Sequence, residues 1–130
     1  FPNYEYAIFP ISNHRQITSD KLNNLKTQLD DTPVIMEIKY FVGSGADTDA
    51  LNYEPNSEPI DHTASSGYVK HYVAVVDWGT WNGIEYLECM NNYGSAHPDS
   101  GFFKIKTADF NTWCGTLDYP TLHTGTTYKH

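Results

Sequence analysis

Cysteine is scarce in this chain, with only Cys89 and Cys114 among 130 residues. Two thiols cannot build the disulfide framework of a small secreted scaffold, and their spacing matches no zinc motif. Basic residues are also few. Eight Lys and Arg stand against sixteen Asp and Glu, a net charge of -8, and such a surface repels nucleic acid and anionic membranes. No run of about 18 apolar residues occurs, which excludes a membrane-spanning helix, and the mean hydropathy is -0.53. Six histidines (His14, His62, His71, His97, His123, His130) include no pair at the spacing of a helical metal site, so no metal or other cofactor is expected. There is no Asn-x-Ser/Thr sequon to hint at secretion. The opening FPNYEYAIFP has neither an initiator methionine nor a signal-peptide pattern, so the chain is expected to be a mature fragment.

What is present fits one domain over residues 1–130, large enough to bury a core. Aromatics reach 15%, with ten tyrosines. The first clear element is TSDKLNNLKTQLDD, where Leu22, Leu25 and Leu29 repeat at i, i+3 and i+7. This predicts one amphipathic helix capped by Thr18 or Ser19, with Asp20 in the first turn and Pro33 closing the segment. PVIMEIKYFV follows as a buried strand. Residues 43–69, rich in Gly, Ser, Asp, Asn and Pro, predict a long irregular connection of the kind that is often functional. Its acids, Asp47, Asp49, Glu54, Glu58 and Asp61, read as a solvated loop, since their spacing does not follow an EF-hand calcium loop. From Val69 onward the pattern is almost all strand, with turn signals at GTWNG, YGSAHPDSG and WCGTLDYP.

HYVAVVDW and IEYLECMN flank GTWNG, whose Asn-Gly pair is a strong hairpin signal. A hairpin centred on Trp81 would set His71 opposite Asn91, Val73 opposite Cys89 and Val75 opposite Leu87. Opposed side chains are close enough to hydrogen-bond. An asparagine carbonyl can accept from one imidazole nitrogen and leave the other to face a nucleophile. That is the base and orienter of a nucleophilic triad. A structural hydrogen bond at a barrel rim fits the same spacing, and spacing alone favours it.

HYVAVVDWGTWNGIEYLECMNNYG resembles the histidine-to-asparagine segment of papain-like cysteine peptidases. The shared features are His71, Gly79, Asn82-Gly83, Tyr86 and Asn91-Asn92-Tyr93-Gly94. GFFKIK is similar to the family's Gly-aromatic strand, WCGTLDYPT to its Cys-Gly and Tyr-Pro ending, and LNNLKTQLDD with PVIMEI to the helix and strand that open its second half. The resemblance covers nearly the whole chain. It implies the C-terminal, β-barrel-like half of the papain fold, an α+β but mostly β architecture of antiparallel strands with one early helix.

The resemblance also implies thiol-dependent peptide hydrolysis. His71 would be the general base paired with a thiolate, Asn91 would orient its ring, and Tyr93 would stand where a Trp usually shields that hydrogen bond. The catalytic nucleophile is absent from the chain, because neither Cys89, inside a strand, nor Cys114, in WCG, has the family's Cys-Trp setting at a helix start. The implied partners are a helical domain or chain carrying the catalytic Cys and an oxyanion-hole Gln, and a peptide or protein substrate, in a lysosomal, vacuolar or secreted compartment. Cys89 reads as a core residue. Cys114 matches a cysteine often disulfide-bonded in the family, but Ser65 and Ser66 occupy the region of its partner, and Lys70 precedes the histidine. A second reading is a catalytically inactive relative serving as a binding or structural module, with Trp78, Trp81 and Trp113 as candidate contacts.

Overall fold

β-branched and aromatic residues fit a pleated, half-buried surface, and they dominate the strands of this chain. The computed structural model describes residues 11–41, 57–62, 68–90 and 101–122. Their elements are β1 (Ile11–Gln16), α1 (Lys21–Gln28), β2 (Val34–Phe41), β3 (Tyr68–Trp81), β4 (Ile84–Met90) and β5 (Phe102–Lys106). A 3-10 turn (Thr107–Asp109) then leads through a one-turn helix, α2 (Phe110–Trp113), into β6 (Cys114–Leu122). The strands form one six-stranded sheet in the order β1-β6-β2-β3-β4-β5. Every ladder is antiparallel, and the sheet is open rather than closed into a barrel.

The helix α1 begins later than its sequence suggests. Asp20, not Thr18 or Ser19, stands at the N-cap, with φ 41° and ψ 51° and no side-chain cap bond. Aspartate tolerates this left-handed conformation better than most residues, and its Oδ1 accepts from Asn23 Nδ2 at 3.2 Å. Leu25 is fully buried, with Leu22 and Leu29 packed at the edge of the core. The helix ends before Pro33, and β2 starts at the next residue.

The strand β2 alternates cleanly. Val34, Met36 and Ile38 are fully buried on one face, whereas Ile35 on the other is 43% exposed. Val73, Val75, Leu87, Cys89, Phe103, Ile105 and Leu117 extend the buried face across the sheet, and Leu25, Phe110 and Trp113 cover it. Residues 57–62 cross this end as a strap. Ile60 donates its N–H to Lys104 O at 2.8 Å and accepts from Lys106 N–H at 3.1 Å.

The hairpin register differs from expectation. Asn82 and Gly83 both take positive φ, 47° and 80°, the conformation of a two-residue turn whose twist matches the flanking strands. So β3 runs up to Trp81 and pairs it with Ile84. An irregularity between Val75 and Asp77 then shifts the ladder, so that Val75 faces Cys89 and Trp78 faces Leu87. In the segment WCGTLDYP, Trp113 ends α2 and the residues from Cys114 on are strand rather than turn, with Gly115 serving a close approach. A Cβ there would lie 2.5 Å from Glu37 Oε1. Two elements carry too little periodic signal to be anticipated, namely the polar edge strand β1 and the turn of helix before β6.

Candidate functional site

His71 sits near the start of β3, where it pairs with Ile38 of β2. Alternation puts it on the face of Val73 and Val75, yet it is half-buried where those two are buried. The rigid β2–β3 ladder, in register from Val34↔Val75 to Phe41↔Tyr68, fixes its backbone. Lys70, its neighbour, is exposed. Asn91 and Tyr93 lie outside the described residues, as do Ser65 and Ser66. The described ladder of β3 with β4 ends at Ala74↔Met90.

The two thiols are poor nucleophiles where they stand. Cys89 is fully buried, and desolvation drives its pKa far above the ordinary thiol range. Cys114 is 7% exposed, and burial pushes its thiol up to about 11, opposed by the nearby charges of Lys21 and Lys39. A reactive cysteine needs the opposite, a lowered pKa and access. Both are free thiols.

Of the tryptophans, Trp113 is fully buried and takes His62 edge-on, ring centroids 4.4 Å apart, so it is a core residue. Trp78 is 41% exposed and carries the Lys26 ammonium 4.5 Å from its ring centroid. The same ammonium pairs with Glu85 at 2.7 Å, and this bond holds the Glu85 carboxyl below its ordinary range.

Within the acidic connection, Glu58 and Asp61 both pair with Lys106, at 2.9 and 2.6 Å. The Asp61 bond, and then that of Glu58, raises the lysine above its ordinary range. These two acids therefore anchor the strap to β5. Among the described residues no group of three or more ligating side chains comes together.

Two buried polar residues escape the sequence reading. His62 is 2% exposed, with Nε2 2.7 Å from Lys39 O, while its backbone N–H donates to Asp109 Oδ2 at 3.1 Å. Glu37 is 7% exposed on the face of β2 that points away from the core, and its Oε2 accepts from the Tyr72 hydroxyl at 3.2 Å. The signal for Glu37 was a lone charge inside an apolar run, VIMEI.

Residues 4–124 match the model of the papain family cysteine proteases. A viral cathepsin of Adoxophyes honmai nucleopolyhedrovirus is 27% identical over 104 residues, which are 80% of this chain and 28% of that protein. A gut-specific cysteine proteinase of Caenorhabditis elegans is 35% identical over 57 residues, 44% of this chain and 17% of that protein. Among solved structures, digestive procathepsin L 3 of Tenebrio molitor superposes with a TM-score of 0.64 at 26% identity, over 86% of this chain and 36% of that one. The bromelain protease of Ananas comosus, solved with the E64 inhibitor, gives a TM-score of 0.66 at 17% identity, over 87% of this chain and 51% of that one. The chain thus spans less than a third of each of these curated relatives.

Proposed function

The chain belongs to the papain family of cysteine proteases, and from that premise we propose that it supplies the histidine and asparagine of a thiol-dependent peptide hydrolase. Its cysteine and oxyanion-hole glutamine would come from a helical half outside these 130 residues. The observation that carries this reading is the contrast between His71, half-buried at the start of a strand fixed by its ladder, and two thiols buried away from any reaction.

In the proposed mechanism His71 and the partner cysteine form an imidazolium–thiolate pair. The thiolate attacks the scissile carbonyl carbon, forming the C–S bond. The imidazolium then gives its proton to the leaving amine nitrogen as the C–N bond breaks. Water then gives a proton to the now neutral His71 and attacks the thioester carbon, and the C–S bond breaks to release the carboxylic acid and restore the imidazolium–thiolate pair. Asn91 acts by holding the ring, and Tyr93 by shielding that hydrogen bond from water. The apolar side chains Ile35, Tyr72 and Met90, each 43–54% exposed on the sheet face away from the core, support a partner half, because such patches mark interaction surfaces. A lysosomal, vacuolar or secreted compartment is the reading supported by the digestive and gut-specific proteases among the relatives.

The test is the intact native mass of the protein from its source, with identification of any co-purifying chain or segment. A stoichiometric helical half carrying Gln and Cys-Trp supports the peptidase. A partner with Ser or Gly at the cysteine position supports the inactive binding module.

A further inference from the structure

His62 is a titratable side chain that the proposed mechanism leaves unused and that the fold buries almost completely, at 2% exposure. Its Nε2 lies 2.7 Å from Lys39 O, and since a carbonyl only accepts, Nε2 carries the proton and donates. The ring meets Trp113 edge-on, with centroids 4.4 Å apart and planes at 72°. Its backbone N–H donates to Asp109 Oδ2 at 3.1 Å. The residue is thus anchored to three different elements: β2, α2 and the 3-10 turn.

The bond to Lys39 falls where β2 loses a neighbour. Among the described residues β6 pairs with β2 no further than Ile38↔Cys114, and a strand edge beyond such a point offers unpaired backbone groups. His62 brings a donor to the next residue. Two residues earlier in the strap, Ile60 is bonded to β5 through Lys104 O and the Lys106 N–H, at 2.8 and 3.1 Å. Lys106 also pairs with Glu58 and Asp61. The strap therefore connects β5 to β2, the two ends of the run β2-β3-β4-β5, and His62 is the link on the β2 side. There the rungs are Lys39↔Lys70 and then Ile38↔His71. The anchored carbonyl is one residue from the ladder partner of the proposed base.

We propose that His62 is a positioning residue for the thiol-dependent reaction. By tying the strap to Lys39 it fixes the ladder end that carries His71, and so the place of the His71 imidazole against the thiolate of the partner half. This rests on the peptidase reading. His62 is buried, so it acts through the strands and touches no substrate. Reaction rates respond to displacements that stability barely registers, because a shift of about 1 Å in a reacting group costs about 10²-fold. Each charge of the imidazolium–thiolate pair favours the other, so a displaced ring also weakens the pair.

The experiment measures kcat, KM and the pH profile of kcat/KM on the native assembly, with active thiols counted by iodoacetamide titration so that unfolded protein does not contribute. His62→Phe keeps a ring against Trp113 and removes the donor, and His62→Gln keeps a side-chain N–H. His62→Phe is expected to lower kcat about ten- to hundredfold, with KM unchanged, and to narrow the active pH range from both sides. His62→Gln is expected to recover most of the loss. Leu25→Ala, which empties a buried site outside the strap, is expected to lower stability and leave kcat per thiol intact. Wild-type kcat in His62→Phe, a loss carried by KM, an equal loss of kcat in Leu25→Ala, or a His62→Gln no better than His62→Phe would overturn the role. If His62→Phe fails to fold, native-state hydrogen exchange of the wild type decides. The amides of Ile60 and Lys106 should then open together with those of residues 69–72, and independent opening overturns the role. A wild type with no thiol-dependent hydrolysis removes the peptidase reading and this role together, whereas thiol-dependent hydrolysis indifferent to His62 removes only the role.

Discussion

Cys114 holds its proton to about pH 11 because burial disfavours the thiolate. An unfolded chain releases the same proton near the ordinary thiol value of 9.0. The stabilisation is therefore fully present below pH 9 and is lost as pH rises towards 11, where the folded thiol also ionises. Urea midpoints measured at intervals from pH 8 to 11 should fall more steeply for the wild type than for Cys114→Ala, and parallel slopes would contradict this assignment. For Asn91, an orienting role predicts that Asn91→Ala in the active assembly lowers kcat more than it raises KM, whereas equal changes would remove it from the mechanism. His71 was legible as a candidate because its strand and turn carry strong local patterns, and Cys89 was legible as core because it alternates with apolar neighbours. Glu37 was not, since a charge in a strand is ordinarily read as solvent-facing. Only the third dimension shows Gly115 and Tyr72 closing over it.

The elements depend on a few positions whose backbone geometry admits little choice. Gly83 takes φ +80° with open space where a Cβ would sit, so Gly83→Ala is resisted by conformation alone. It should cost about 1 kcal/mol and lower the melting temperature by a few degrees, and an unchanged melting temperature would mean the turn relaxes freely. Leu25→Ala is a different case, because it leaves a void under α1 in a fully buried site, and its expected cost is about 2–5 kcal/mol by chemical denaturation. The existence of α1, β2 and the β3–β4 hairpin was readable from periodicity and the Asn-Gly pair. Their register was not. Placing the turn centre at Trp81 rather than between Asn82 and Gly83, and not anticipating the irregularity at Val75/Asp77, was enough to set Val73 rather than Val75 opposite Cys89. A short-range turn signal names the hairpin, but strand twist and bulges decide which residues meet.

On the scale of the whole molecule, the sheet buries one face under α1, α2 and the 57–62 strap and leaves apolar side chains on the other. An isolated chain with such a face should self-associate or bind hydrophobic dye. Sedimentation showing a stable, dilute monomer without dye binding would contradict that expectation. The mostly β architecture with an early helix was legible because the strand-rich composition and the order of the motifs agree. The edge strand β1 was not, because its residues are polar and it is recruited only by pairing with β6 far along the chain. The central claim is that His71 is the base of a thiol peptidase completed by a second half. The most direct test is kcat for peptide hydrolysis by the native assembly, wild type against His71→Ala, with iodoacetamide sensitivity as the control. The account predicts alkylation-sensitive turnover that falls about 10²–10⁴-fold in the variant. Turnover unaffected by His71→Ala, or a wild-type assembly with no thiol-dependent hydrolysis, would contradict it.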